Sequence, residues 1–322
     1  MYNNRISTAA RYNLLTADIQ KNEANYNRIT QQLASGKKIT SISDDPIAAV
    51  NIINTNRQLG QIETFNNNVA MGMKELDTLD DLMDLAGSYL SSAWDKAAQA
   101  NNGTYGVSSL KALKTEIDEI TKTMVDLANT EFNGNYMFAG ANTKLLPYEM
   151  TDDGKILYTG TPHDNPDYVR QTEVADGVFE VINTTGDVVF GWYKDENDYS
   201  GVMGALKVLS NSIQEVIDAK EAKDPTAETA GYDKMRSTMD MFQQSLNEIT
   251  TEQTKFGGVY NRLEMTESTL ETNNENLTGY LSQIQEVDIA KAVSDWYQAQ
   301  YAYQASLQVA AQTMNMSLLN YI

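Results

Sequence analysis

Residues 235–284, MRSTMDMFQQSLNEITTEQTKFGGVYNRLEMTESTLETNNENLTGYLSQI, carry a seven-residue apolar repeat. The repeat occupies Met235, Phe242, Ile249, Phe256, Leu263, Leu270, Leu277 and Ile284. A repeat sustained over this length predicts a long helix packed against other helices. A second row, apolar at first and mixed later, is predicted to flank it at Met239, Leu246, Gln253, Tyr260, Glu267, Asn274 and Leu281.

Both ends of the chain carry amphipathic helical patterns. The N-terminal stripe is Tyr12, Leu15, Ile19, Tyr26, Ile29 and Leu33, and the C-terminal stripe is Ile289, Val293, Trp296, Tyr303, Leu307, Ala310, Met314, Leu318 and Tyr321. Residues 1–40 hold six basic and two acidic groups, whereas residues 263–322 hold one basic and seven acidic groups. Opposite charge favours pairing of the two terminal helices. The alternative is two separate, solvated helices.

The middle of the chain changes character near residue 140. Further helical stripes run over residues 59–90, 110–127 and 206–217, with the spacing of apolar residues typical of buried helix faces. Residues 155–160, 178–183 and 188–193 are rich in β-branched and aromatic types, and Thr184–Asp187 is predicted to join the last two as a hairpin. The predicted fold class is mainly α: a long antiparallel helical bundle or coiled coil built from both chain ends, with a small β-rich inserted domain at 141–200.

Composition excludes several classes of function. The chain has 322 residues, 24 Lys and Arg against 44 Asp and Glu, a net charge of −20, no Cys and one His. This charge repels nucleic-acid phosphates, and the lack of Cys removes thiol catalysis and cysteine metal sites. No apolar run is long enough for a cleaved signal peptide or a membrane-spanning helix. We therefore expect no nucleic-acid partner, no membrane insertion and no cleaved signal.

No catalytic, cofactor or metal site is predicted. His163 lies in a turn-rich segment without a nucleophile elbow, so a surface histidine is the simpler interpretation. Asp195–Asp198 lacks the glycine and the final glutamate of a calcium loop, which are replaced by Ser200 and Leu206. Asp44 and Asp45 are better explained as helix caps than as a catalytic pair.

The connector after the first helix has a signature of its own. It reads LASGKKITSISDDPIAA over residues 33–49. Ser35 and Gly36 are predicted to end a helix, while Asp44 and Asp45 offer cap oxygens to a new helix that starts at Pro46. This stretch resembles the N-terminal signature of bacterial flagellins and their hook-associated relatives. Val287–Ala290, Ala302–Gln308 and Ser317–Leu319 are similar to the terminal helix of the same superfamily.

Two further segments narrow the resemblance to the hook-associated branch of the flagellin superfamily. They are Arg5–Thr8 and Asn133–Gly140. The resemblance implies a structural, non-enzymatic protein between the hook and the filament, assembled as a ring or helical layer through its terminal helices. It implies a terminal coiled-coil domain (1–45 with 278–322), a helical rod domain (46–140 with 201–277) and the β-rich insertion (141–200).

The expected assembly interface follows from the terminal stripes. It comprises Leu15, Ile19, Tyr26, Ile29, Leu33, Ile289, Val293, Trp296, Tyr303, Leu307, Met314 and Leu318. Family membership implies further copies of the chain, flagellin, the hook-side hook-associated protein 1 and a cytoplasmic export chaperone as partners. It also implies flagellar type III export to an extracellular location. A flagellin proper, a coiled-coil adaptor and an enzyme within the insertion remain as alternatives.

Overall fold

A computed structural model describes the backbone of residues 8–319 and the side chains of residues 10–313. Long helices dominate it, as the sequence predicts. They are α1 (Thr8–Ser35), α2 (Pro46–Ala100), α3 (Val107–Ala128), the short α4 (Gly186–Val189), α5 (Gly201–Ala222), α6 (Pro225–Gln285) and α7 (Ile289–Leu319). The prediction of a mainly α fold with a β-rich insertion is confirmed.

The chain divides into two units, Met1–Glu63 with Glu271–Ile322, and Thr64–Leu270. The first unit contains α1, α7, the start of α2 and the end of α6. The second contains the remaining helices and every strand among the described residues. The finer division at residues 45, 140, 200 and 277 stays a prediction.

The strands form three small antiparallel sheets in the second unit. One has the order β3-β4-β7-β8, and the others pair β1 with β2 and β5 with β6. The strands are β1 (Glu131–Phe132), β2 (Asn135–Tyr136), β3 (Tyr148–Met150), β4 (Ile156–Tyr158), β5 (Gln171–Ala175), β6 (Val178–Val181), β7 (Trp192–Asp195) and β8 (Asp198–Ser200). The pair β7 and β8 packs on α5.

The predicted hairpin between residues 178–183 and 188–193 is wrong. Strand β6 pairs with β5, and the following residues form the short helix α4 before β7 begins. The reason lies far away in sequence: Gly186 N donates to Phe138 O at 2.9 Å, and Thr185 forms a β-bridge with Ala139. These contacts hold the segment in a helical turn despite its β-branched residues.

The core of the second unit follows the seven-residue repeat of α6. The first six positions of the predicted row, from Met235 to Leu270, are all buried. The predicted second row is only half-buried, and the opposite flank, Thr238, Ser245, Glu252 and Val259, is buried instead. Burial of Glu252 is compensated by the Thr184 hydroxyl, which donates to it at 3.3 Å, and by an ion pair with Lys255.

The hairpin β5–β6 is attached to two long helices. The side-chain amide of Asn68 on α2 donates to Glu173 O at 2.8 Å. Arg262 on α6 donates to both carboxylate oxygens of Glu180, at 2.9 and 2.7 Å. A buried glutamate on α2, Glu75, also forms an ion pair with Arg170 just before β5. These contacts fix the hairpin to the helices beside it.

Candidate assembly surface

Helices α1 and α7 pack against each other through aromatic rings. The Tyr26 ring lies 5.7 Å from Trp296 and is stacked on Tyr303 at 6.2 Å between ring centroids. The Trp296 indole N–H donates to the Thr30 hydroxyl at 3.0 Å. No ion pair joins α1 to α7 among the side chains of residues 10–313. The pairing of the two helices is therefore the expected one, but ring contacts and a hydrogen bond form it rather than ion pairs.

Helix α7 also carries an apolar row that α1 leaves exposed, which we term the outer row: Ile289, Val293, Tyr297 and Tyr301. These side chains recur every four residues and are between 39% and 68% exposed. Toward α1 the helix instead presents Ala292 and Ala299, both buried, together with the half-buried Trp296 and Tyr303. Helix α7 thus has one face covered by α1 and one apolar face open to solvent.

The predicted interface residues divide between these two faces. On α1, Ile29 is buried and the others are half-buried on the Tyr26 side: Leu15, Ile19, Tyr26 and Leu33. On α7, Trp296 and Tyr303 contact Tyr26, whereas Ile289, Val293 and Leu307 are exposed. The side chains of Met314 and Leu318 lie outside the described residues.

The connector between α1 and α2 has the predicted caps. Helix α1 ends at Ser35, and Gly36 follows with a φ of +68°, the left-handed conformation that glycine adopts without strain. The Asp45 carboxylate accepts from Ile47 N at 3.1 Å and Ala48 N at 3.0 Å, and Pro46 is the first residue of α2.

Asp44 organises the turn before this cap. Its carboxylate accepts from Ser41 N at 2.9 Å and from Thr40 N at 3.1 Å. These backbone donors, Ser41 first, lower the pKa of Asp44 below its ordinary value because they stabilise the ionised form. Both aspartates therefore have structural roles within the connector.

This connector is joined to the one between α6 and α7 by backbone contacts that were not predicted from the sequence. Lys37 and Glu286 form an antiparallel β-bridge. Val287 N donates to Gly36 O at 3.0 Å, and Lys38 N donates to Gln285 O at 2.6 Å. The two connectors are thus hydrogen-bonded to each other through their backbones.

A second exposed apolar row, which was not predicted from the sequence, lies at the start of α2. Ile47, Val50 and Ile53 recur every three residues and are each at least 55% exposed. Their spacing was the available signal, because three-residue steps place side chains near one face of a helix.

An open groove of about 730 Å³ runs beside the α1–α7 contact. Three cations and three carboxylates line it, and no ion pair forms among them; they are Arg28, Lys38, Lys291, Glu286, Asp288 and Asp295. The small residues Ala292, Ala299 and Ala302 form part of its lining. Charges of both signs suit a protein surface better than a single small ion.

The remaining candidate sites are occupied by local structure. The Asp195 carboxylate accepts from Asn197 N at 2.8 Å and Asp198 N at 3.1 Å, and the His163 ring lies 4.7 Å from the Tyr168 ring. Within the part of the chain that the structure describes, no three acidic or histidine side chains converge as metal ligands. No helix in that part is long and apolar enough to cross a membrane.

Two family descriptions match the chain and together cover more than half of it. The bacterial flagellin N-terminal helical region matches residues 6–143, and the bacterial flagellin C-terminal helical region matches residues 239–322. The chain belongs to the bacterial flagellin family. As a member of this family, it is a flagellar protein.

Individual members of the flagellin family resemble the whole chain. Flagellar hook-associated protein 3 of Escherichia coli (strain K12) is 25% identical over 327 residues, which cover 98% of each chain. Flagellin of Bacillus subtilis (strain 168) is 26% identical over 289 residues, 88% of this chain and 87% of that one. A crystal structure of flagellar hook-associated protein-3 from Legionella pneumophila superposes with a TM-score of 0.62, at 15% identity, over 72% of this chain and 98% of that one.

Proposed function

We propose that this chain is a structural protein of the bacterial flagellum that joins the hook to the filament. Its likeness to the E. coli hook-associated protein 3 extends over 98% of both chains, whereas the likeness to B. subtilis flagellin extends over 88% and 87%. The role is structural rather than enzymatic. Copies assemble as a ring or short helical layer through the terminal helices.

The outer row of α7 is the observation that carries this proposal. Its four side chains expose apolar area on a helix whose other face is already covered by α1. Fully burying an apolar side chain contributes about 1.5–3 kcal/mol, so completing the burial of four half-exposed ones contributes about 4 kcal/mol per copy. Contact between neighbouring copies would supply this stabilisation.

The two faces of the helix pair have different roles in the proposal. Ile289, Val293 and Leu307 contact a neighbouring molecule, together with Met314 and Leu318 from the predicted stripe. The inner residues, among them Tyr26 and Trp296, hold α1 and α7 together so that the outer row is presented in one orientation. The unpaired charges of the groove beside Arg28 provide a further surface for polar contacts with that neighbour.

The partners follow from this location. Flagellin lies on the filament side and hook-associated protein 1 on the hook side. Before export through the flagellar type III channel, a cytoplasmic chaperone covers the C-terminal helix, because an exposed apolar row favours premature association. The terminal helices form one domain, the rod helices a second and the 141–200 insertion a third.

A deletion strain complemented with variants tests the proposal. Without the chain, filaments should detach and flagellin should accumulate in the medium. Val293→Asp, which introduces a charge into the outer row, should reproduce this loss. Ser294→Asp is the matched control, because it adds the same charge at the next, exposed position of the helix without removing apolar surface, and it should restore attached filaments.

Three outcomes would contradict the proposal. Attached filaments in the deletion strain would exclude the junction role. A deletion strain that produces no other flagellin would identify the chain as the filament subunit. Normal attachment with a stably folded Val293→Asp variant would exclude the outer row as the interface.

A further inference from the structure

The chain contains two Asn-Gly pairs, which the structure holds very differently. Asn102–Gly103 lies in the loop between α2 and α3, and Asn133–Gly134 forms the turn between β1 and β2. In such a pair the glycine backbone nitrogen is the potential nucleophile and the asparagine Cγ the electrophile. Reaction requires the two atoms to approach, so the backbone around the pair decides the rate.

The side-chain oxygen of Asn102 accepts two hydrogen bonds. Its Oδ1 accepts from the Thr104 hydroxyl at 2.9 Å and from Thr104 N at 3.3 Å. These two donors point at the oxygen on which negative charge develops when a nucleophile adds to Cγ, which is the arrangement that stabilises a tetrahedral oxyanion.

The nucleophile beside it is unrestrained. Gly103 is exposed, and a Cβ built on it would meet no atom within 4 Å. Its N–H makes no hydrogen bond to another described residue. The loop is therefore open for Gly103 N to move toward the Asn102 side chain.

The pair Asn133–Gly134 is also exposed, but strand pairing and side-chain contacts restrain it. Asn133 and Gly134 have φ angles of +50° and +71°, and the flanking strands are paired in register. The Lys144 ammonium donates to Gly134 O at 2.6 Å, and the Asn133 amide donates to the Met71 sulfur at 3.7 Å. No donor contacts the Asn133 Oδ1 among the described residues, so this side chain lacks the two hydrogen bonds that Asn102 accepts.

We propose that Asn102 is a site of spontaneous, Thr104-assisted deamidation in the folded protein. Gly103 N loses its proton to solvent and forms a bond to Asn102 Cγ, and the bond from Cγ to the amide nitrogen then breaks. Ammonia leaves with a proton taken from solvent, and a succinimide remains. Water opens the succinimide at either carbonyl to give aspartate or isoaspartate, each with one additional negative charge and no net oxidation.

The experiment is peptide mapping by mass spectrometry of the full chain, incubated at neutral and at mildly alkaline pH. Conversion at Asn133 in the same sample is the internal reference. In the folded chain Asn102 should convert about tenfold faster than Asn133, below the 10²–10³ effect of an enclosed oxyanion donor because the loop is exposed to solvent. In concentrated guanidinium chloride the two rates should converge.

Variants at Thr104 test the assisting role. Thr104→Ala should slow conversion at Asn102 severalfold, and Thr104→Ser, which keeps the hydroxyl, should restore the rate. Equal rates at Asn102 and Asn133 in the folded chain would overturn the proposal. So would a Thr104→Ala variant that reacts as fast as the wild type or faster, because the threonine would then restrain the side chain rather than activate it.

Discussion

Tyr26 on α1 makes the ring contacts with α7, and its replacement should weaken the packing of the two helices while leaving the outer row unchanged. The ring interacts with both Trp296 and Tyr303. Each aromatic pair contributes about 0.5–1.5 kcal/mol beyond the area it buries, and the partly buried ring adds about 1 kcal/mol. Tyr26→Ala should therefore destabilise the helix pair by about 2–4 kcal/mol.

Hydrogen exchange of the α1 amides measures this loss directly. Since 1.4 kcal/mol corresponds to a factor of ten, protection should fall about 30- to 700-fold. Tyr301→Ala is the matched control: it removes the same group from the 68% exposed position of the outer row. This control should leave protection of α1 within about 0.5 kcal/mol while impairing assembly.

The two variants thus separate helix pairing from assembly. If Tyr26→Ala kept wild-type protection in α1, the aromatic contact would not hold the helices together. If Tyr301→Ala exposed α1 to exchange, the outer row would contribute to the monomer, and the assignment of the two faces would fail.

Three further changes have effects set by local contacts. Arg262→Ala should lower the free energy of unfolding by about 1–2 kcal/mol near neutral pH. Because Arg262 lowers the pKa of Glu180, the stability that this pair contributes is present above the ordinary glutamate pKa and is lost as the pH falls through the lowered pKa of Glu180. Urea titrations of the variant and the wild type should therefore differ near neutral pH and agree in acid. Asp45→Ala removes the cap of α2 and should cost about 1 kcal/mol, seen as faster exchange of its first amides. Phe242→Ala leaves a cavity at a buried position of the seven-residue repeat and should lower the free energy of unfolding by about 3–5 kcal/mol, measured by urea titration. The control Phe179→Ala, at a position more than half exposed, should change the free energy of unfolding by less than about 0.5 kcal/mol in the same titration.

The connector around Pro46 was predictable because its structure is set by neighbours in sequence. A glycine that permits a left-handed turn and an aspartate placed before a proline are sufficient to end one helix and start the next. The turn at residues 184–187 was not predictable in the same way, because its conformation depends on a strand-like contact with Phe138 and Ala139.

The seven-residue repeat of α6 likewise shows that contacts distant in sequence cannot be predicted from local patterns. The apolar row was correct from Met235 to Leu270 because burial of large apolar side chains dominates helix packing. The predicted flanking row is half-buried, and the fully buried flank holds Glu252, which hydropathy places at the surface. Thr184, 68 residues away, supplies the hydrogen bond that makes its burial tolerable.

The terminal helices were predicted to pair, yet the sequence could not assign their faces. A stripe of three- and four-residue steps over α7 combined Trp296, which contacts α1, with Val293, which is open to solvent. Only the position of α1 in the structure shows which of these two residues is covered and which is exposed. The opposite charges of the chain ends indicated the correct pairing, although the contacts that form it are rings.

The hydrogen-bonded connectors at Gly36–Lys38 and Gln285–Val287 reduce the number of independent motions available to the terminal helices. Two separate connectors would let α1 and α7 pivot individually, each about its own flexible point. The β-bridge joins the two connectors, and the stacked rings of Tyr26 and Tyr303 add a second contact between the helices, so one helix cannot pivot without straining both contacts. Bending of one terminal helix would therefore be coupled to its partner rather than absorbed at a connector.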